Sequence, residues 1–92
     1  MEKKRVIVTV IGEDRVGIIA AVAEVLAKYQ VNILDISQTI LQDFFTMMMI
    51  VDISKSTVSL QALQDILKTL GEQIGMQIHA QHEDIFRFMH RI

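Results

Sequence analysis

The chain has 92 residues, of which 51% are hydrophobic, and this fits one domain (residues 1–92) with its own core. The absence of cysteine excludes disulfides and thiolate metal sites. The net charge is −2 and the only basic cluster is Lys3-Lys4-Arg5, which does not amount to the basic stripe typical of nucleic-acid binding proteins. The apolar stretch at 6–11 is too short for a signal-peptide core or a membrane span, so we expect a cytoplasmic protein without nucleic-acid or membrane partners.

The first half of the chain alternates strand-like and helix-like patterns. Arg5 to Ile11 is apolar on both alternations, which is typical of a central strand covered on two faces. Gly12 to Gly17 interrupts this pattern, and from Ile18 to Tyr29 apolar residues recur at helical spacing. Val31 to Leu41 mixes apolar and polar residues, as expected of a strand with one wetter side, and Gln42-Asp43 fits a two-residue hairpin turn.

The second half repeats this alternation. Phe44 to Ile53 is a second apolar strand, and the polar segment from Ser54 to Ser59 offers several N-cap residues. Leu60 to Ile74 has apolar residues at steps of three and four, so it predicts an amphipathic helix that Gly75 ends. Met76 to Glu83 then alternates apolar and polar residues, as a half-exposed strand does.

The order β-α-β-β-α-β predicts the α+β class with a ferredoxin-like fold. We expect a four-stranded antiparallel sheet with both helices on one face, because right-handed crossovers place them there. Asp84 is placed to begin a short C-terminal helix that runs to Ile92. The tail at 84–92 is expected to contact a second copy or another partner.

The face of the sheet without helices is predicted to be apolar at its centre. Val6, Val8 and Val10 alternate with Ile7 and Ile11 on the first strand, and the third strand is likewise apolar on both alternations. An exposed apolar sheet of this kind usually marks an interface. We therefore expect a homodimer formed through this face, assisted by the tail.

Residues 12–20, Gly-Glu-Asp-Arg-Val-Gly-Ile-Ile-Ala, resemble the signature of the ACT domain family. Members of that family are regulatory modules that bind amino acids and other small ligands, and their signature has an acidic or amide residue, Arg, often Pro, and then Gly. An Asn-Ile pair follows the first helix in the family, and Val31-Asn32-Ile33 matches it. The resemblance covers nearly the whole chain and is greatest to the small stand-alone bacterial proteins of the UPF0237 group. Val16 stands where many members have Pro, which leaves the loop less rigid.

The loop between the first strand and the first helix is the candidate ligand site. Gly12 and Gly17 permit close approach of the backbone, and free N–H groups at a helix start favour a carboxylate. The resemblance implies that the loop amides, Asp14 and Asn32 contact the ligand, with Asp14 accepting from an α-ammonium group. The alternative is that Asp14 only caps the first helix and that Gly17 only permits helix packing.

The candidate site extends to one residue of the second strand and to the rest of the loop motif, whereas the histidines are not part of it. Asp35 on the second strand is either a ligand contact or part of a wet strand edge. His79 and His82 point to opposite faces of a strand, so we expect no metal site, and no cofactor is indicated. The remaining ligand-binding candidates belong to the loop motif itself: Arg15, Val16 and Ile18.

Three functions are compatible with these observations. The resemblance favours a non-enzymatic homodimer that binds a small molecule, expected to be an amino acid, and that regulates a metabolic enzyme or regulator. The second is a protein-interaction module without a ligand. The third is an acylphosphatase-like enzyme in which Arg15 and Asn32 hold phosphate, although Glu13 and Asp14 would repel a phosphoryl group.

Overall fold

The computed structural model describes residues 4–85. Its elements follow the predicted order β-α-β-β-α-β, and residues 83–85 after them are helical. The predicted fold class is therefore confirmed, and the rest of the predicted tail helix lies outside the described residues. The elements are β1 (Arg5–Glu13), α1 (Ile18–Lys28), β2 (Asn32–Leu41), β3 (Phe44–Asp52), α2 (Leu60–Ile74) and β4 (Met76–His82).

The four strands form one antiparallel sheet in the order β2-β3-β1-β4. β1 pairs with β3 along its whole length, with Arg5 opposite Asp52 at one end and Glu13 opposite Phe44 at the other. Because β1 and β2 are both antiparallel to β3, they run in the same direction, and α1 carries the chain back from the end of β1 to the start of β2.

The core lies between the helices and one face of the sheet. Alternate residues of β1, β3 and β4 are buried there, together with residues of both helices, and among the described residues no polar side chain is buried with them. This arrangement is expected when alternate residues of the strands face the apolar side of helices, whose side chains repeat every 3.6 residues. The fully buried side chains are Val6, Val8, Val10, Val22, Leu26, Met47, Met49, Val51, Leu63 and Leu67.

The two helices begin differently. Ser59 is the N-cap of α2, and its hydroxyl accepts a hydrogen bond of 3.1 Å from the Ala62 N–H. Gly75 ends that helix in the left-handed region at φ 74°, as its position predicts. At the start of α1, Gly17 is the N-cap at φ 89° and supplies no side chain to the helix.

The outer strand β2 is exposed along nearly its whole length. A bulge between Ile33 and Asp35 shifts its register on β3, so that Leu34 has no partner opposite it. Beyond the bulge Ile36 and Ile40 point to the helix side of the sheet, yet they remain 41% and 53% exposed. The wetter strand predicted from the sequence is thus an edge strand with uncovered apolar side chains.

The sheet face opposite the helices, the open face, has an apolar centre as predicted. Ile7 and Ile50 lie side by side there and are half-buried, while Ile11 and Met48 are 46% and 44% exposed. Polar side chains of β2 and β4 flank them. The dimer expected through this face stays a prediction.

Candidate functional site

The loop between β1 and α1 projects from one end of the sheet. Glu13, Asp14, Arg15, Val16 and Gly17 are all exposed, and Val16 is fully so. Ile18 differs, because its side chain is buried in the core and only its backbone can face a ligand. The predicted positions from Asp14 to Gly17 are therefore accessible, whereas Gly12 is half-buried and the Ile18 side chain is buried.

The start of α1 is open to an anion. Among the described residues no side chain caps it, and its first turn contains no acidic residue. The interpretation of Asp14 as a helix cap is therefore wrong, since Gly17 holds the cap position. A Cβ at Gly17 would meet nothing within 4 Å, so open space lies beside the first N–H groups. Such groups attract a carboxylate through their partial positive charge.

Gly12 is required for packing within the chain rather than for close approach to a ligand. A Cβ placed there would lie 2.6 Å from Met76 Sδ and 3.0 Å from the Gly75 carbonyl oxygen. The end of β1 thus packs directly against the α2–β4 junction, and a side chain at Gly12 would push the two apart. Its contribution to a site is to position the loop.

Arg15 connects the loop to the end of α2. Its Nη1 donates a hydrogen bond of 2.9 Å to the Ile74 carbonyl oxygen, so a cation sits at the C-terminal end of that helix. A cavity of about 320 Å³ lies beside this contact and is lined by Arg15, Val16, Gly17, Ile18, Gln73 and Ile74. Arg15 and the start of α1 together make the cavity favourable for a negatively charged group.

Asp14 links the loop to the β2–β3 hairpin. Its backbone N–H donates 2.8 Å to the Asp43 carbonyl oxygen in the turn that follows β2. Within residues 4–85 its carboxylate has no hydrogen-bond or ion-pair partner. The accepting capacity of this exposed carboxylate is therefore unused within the described residues.

Asn32 and Asp35 lie far from this loop. Asn32 stands opposite Asp52, which stands opposite Arg5, so it shares the end of the sheet where β1 begins. The loop follows Glu13, eight residues further along β1, which corresponds to about 26 Å at the rise of a strand. Asp35 is three residues into β2, and its Oδ1 accepts 2.9 Å from the Ile36 N–H beside it.

One chain therefore does not bring the predicted site residues together. The loop candidates cluster at one end of the sheet, and Asn32 lies at the other. Arg15 lies in that loop, at the other end of the sheet from Asn32, so one chain does not bring the two together to hold phosphate. The order β-α-β already implied this, since a helix between two parallel strands returns the chain to the opposite end.

A model of the ACT domain family matches residues 4–81, which is most of the chain. A UPF0237 protein of Methanosarcina acetivorans is 51% identical over 92 residues, covering all of both chains.

The chain belongs to the ACT domain family.

Its UPF0237 relatives occur in archaea as well as bacteria, since one from Clostridium acetobutylicum is 49% identical over 96% of this chain and 99% of its own. An ACT domain protein from Streptococcus pneumoniae superposes with a TM-score of 0.81 at 35% identity, covering 92% of this chain and 96% of that one. A putative glycine cleavage system transcriptional repressor shares the fold at 21% identity, with a TM-score of 0.74 over 89% of this chain and 47% of that one.

Several residues around the loop between β1 and α1 were not predicted from the sequence. Gln73 and Ile74 line the cavity from α2, and Asp43 holds the loop from the hairpin turn. Gly12 was expected to permit close approach of the backbone, but no local sequence pattern pairs it with Gly75.

The two histidines of β4 do not share a face of the sheet. His79 and His82 lie opposite Thr9 and Val6 and so project to different faces, as the spacing predicted. Within residues 4–85 no three His, Asp or Glu side chains lie close enough to hold a metal ion. None of the helices in that range is long and apolar enough to cross a membrane.

Proposed function

We propose that this ACT domain is a non-catalytic regulatory protein that binds an amino acid between two copies of the chain. The observation that carries the proposal is the uncapped start of α1 beside Arg15, in a loop whose exposed Asp14 carboxylate has no partner within residues 4–85. The α-carboxylate would accept from the N–H groups of α1, and the α-ammonium would donate to Asp14. The Gly17 backbone leaves room for this approach.

The second copy supplies what one chain lacks. β2 is an edge strand of ten residues with unpaired outer backbone groups, a ready template for antiparallel pairing with another β2. In the fully overlapped two-fold pair, Asn32 stands opposite Leu41 of the partner subunit. Leu41 pairs with Phe44, and Phe44 pairs with Glu13 just before the loop.

This pairing places Asn32 at the partner's ligand loop. The backbones would be two to three strand spacings apart, about 10–14 Å, a gap that two side chains and a small ligand can fill. The same contact would cover Ile36 and Ile40, which the helices of one chain leave exposed. The homodimer is thus proposed through the β2 edge, whereas the sequence pointed to the open face.

A ligand held by both subunits favours the arrangement that completes its site. Regulation then requires only that the dimer binds another enzyme or regulator better in one arrangement than in the other. No step of bond making or breaking is needed for this role.

The first experiment is a thermal-shift screen with glycine, serine and the branched-chain and aromatic amino acids. A ligand at 100 times its Kd stabilises the folded state by about 2.7 kcal/mol, which raises the Tm of a domain of this size by on the order of 10 °C. Asp14→Ala and Asn32→Ala are expected to lose the shift. Absence of any shift with the wild type would leave the protein-interaction function as the better account.

The second experiment mixes the two inactive variants. If the site is shared, a mixed dimer of one Asp14→Ala chain and one Asn32→Ala chain contains one intact site. Calorimetry should therefore recover binding, with one ligand bound per mixed dimer where the wild-type dimer binds two. A site within one chain predicts no recovery. Mixing two differently tagged Asp14→Ala chains is the matched control, because every site in that dimer lacks Asp14.

A further inference from the structure

Another cavity lies where α1 ends and β2 begins. It has a volume of about 410 Å³, and most of the residues that line it carry polar side chains. The polar members are Gln30, Asn32, Asp52, Ser54 and Lys55. Asn32 is also the proposed ligand contact that lies far from the loop of its own chain. The cavity therefore adjoins the part of the ligand site that the second copy supplies.

The proposed pairing of two β2 strands brings the partner's ligand loop to this cavity. Asn32 stands opposite Leu41 of the partner subunit, so the partner's hairpin turn comes next to residues 30–31. That turn holds the loop, because in each chain the Asp14 N–H donates to the Asp43 carbonyl oxygen. The two-fold axis of an antiparallel edge pair is perpendicular to the sheet, so the helices of both chains lie on one face. A ligand at the partner's loop thus has the cavity beside it.

Four polar side chains of the lining have unused hydrogen-bonding capacity. All four are exposed, and none of them makes a side-chain hydrogen bond or ion pair within residues 4–85. They belong to Gln30, Asn32, Ser54 and Lys55. The two amides and the hydroxyl each donate and accept, whereas the ammonium group only donates. The cavity therefore offers both donors and acceptors to a ligand.

The charges around the cavity oppose each other. Asp52 is half-buried, and its carboxylate accepts 2.9 Å from the Ser54 N–H and is engaged within the chain. The carboxyl end of α1 adds a partial negative charge, and the Lys55 ammonium is the positive charge of the lining. Asp52 would repel an anionic side chain, and Lys55 would repel a cationic one. A neutral polar side chain is the best match.

We propose that the ligand is an amino acid with a carboxamide side chain, glutamine or asparagine, and that this cavity receives the carboxamide. The inference rests on the proposed function, since Asp14 of one chain holds the α-ammonium while the cavity of the other holds the side chain. The carboxamide oxygen accepts from Lys55, and its NH₂ group donates to Asn32 or Ser54. An apolar side chain leaves these groups without partners, which costs binding free energy.

Calorimetry on the full chain with glutamine, glutamate and leucine tests the preference. The three ligands are similar in size and differ in polarity and charge. Glutamine should bind with a Kd at least about tenfold lower than the other two, because only its side chain matches both the donors and the acceptors. A Kd for leucine or glutamate as low as that for glutamine would overturn the inference.

Lys55→Glu tests whether the cavity itself reads the side chain. The variant makes the cavity negative, so the Kd of lysine should fall several-fold relative to that of glutamine. Lys68→Glu is the matched control, because it makes the same charge change in the groove between α2 and β4 and should leave this ratio unchanged. An unchanged ratio in Lys55→Glu contradicts the inference. If that variant only weakens the dimer, the partner's hairpin turn fills the cavity and the inference is equally wrong.

Asp14→Ala separates this inference from the function on which it rests. If leucine binds as tightly as glutamine and Asp14→Ala abolishes both, the carboxamide ligand is wrong and the regulatory function stands. If no amino acid binds the wild type, both are wrong. Glutamine binding that Asp14→Ala abolishes and Lys55→Glu weakens supports both.

Discussion

Gly12 and Gly17 stand at the two ends of the same loop but are needed for different physical reasons. Gly17 has a left-handed backbone with open space around its Cβ position, so only its conformation restricts the residue. Gly12 has no positive φ, and its restriction comes from Met76 and Gly75 packed against it. The destabilisation caused by a substitution at Gly12 should therefore depend on the residue at position 76, whereas that caused by a substitution at Gly17 should not.

We expect Gly12→Ala to lower the free energy of unfolding by about 1–3 kcal/mol through overpacking. Gly17→Ala should cost about 1–2 kcal/mol through its left-handed backbone. Adding Met76→Ala makes room beside residue 12, so its effect with Gly12→Ala should be less than additive, while the pair with Gly17→Ala should be additive. Urea unfolding of the single and double variants measures this, and equal coupling in both pairs would contradict the contact.

At the scale of elements, α1 and α2 use their first turns for different purposes. Ser59 satisfies the Ala62 N–H of α2, so this end contributes to stability. The start of α1 has no such partner among the described residues, although α1 buries Ile18, Val22 and Leu26 in the core. An uncapped helix end held by core packing is available for a ligand, at a small cost in stability.

Ser59→Ala should therefore destabilise the fold by about 1 kcal/mol, seen as a Tm lower by roughly 4–8 °C. Ser59→Asp keeps an accepting oxygen and should restore most of the loss. Ligand binding should stay unchanged in both variants, since Ser59 is remote from the loop. A Ser59→Ala protein as stable as the wild type would show that the hydroxyl contact contributes nothing.

At the scale of the whole molecule, the two uncovered surfaces, the β2 edge and the open face, compete as dimer interfaces. Ile36 lies near the proposed two-fold axis, so Ile36→Lys places two positive charges close together and should raise the dimer Kd at least about tenfold, or 1.4 kcal/mol. Ile11→Lys makes the same change on the open face and should leave the Kd unchanged. Sedimentation velocity over a range of concentrations measures both, and the reverse result would move the interface to the open face.

Much of the fold could be predicted because its determinants are local in the sequence. The periods of two and 3.6 set the strands and helices, and Ser59, Gly75 and Gln42-Asp43 fall where caps and a turn need them. The accessible loop before α1 was found in the same way. The bounds of α2 match the prediction, those of α1, β2, β3 and β4 differ from it by one residue, and β1 runs two residues further, to Glu13.

The remaining features depend on contacts between segments distant in the chain, which no local pattern encodes. Asn32 lies about 26 Å from the loop because strand direction, not sequence distance, decides which end of the sheet a residue occupies. Arg15 donates to Ile74, 59 residues away, and Gly12 packs on Met76, because β1 and the α2–β4 junction are neighbours only after the sheet forms. The sequence by itself determined the elements, the core and the loop, and the tertiary structure decided which of the candidate residues one chain can bring together.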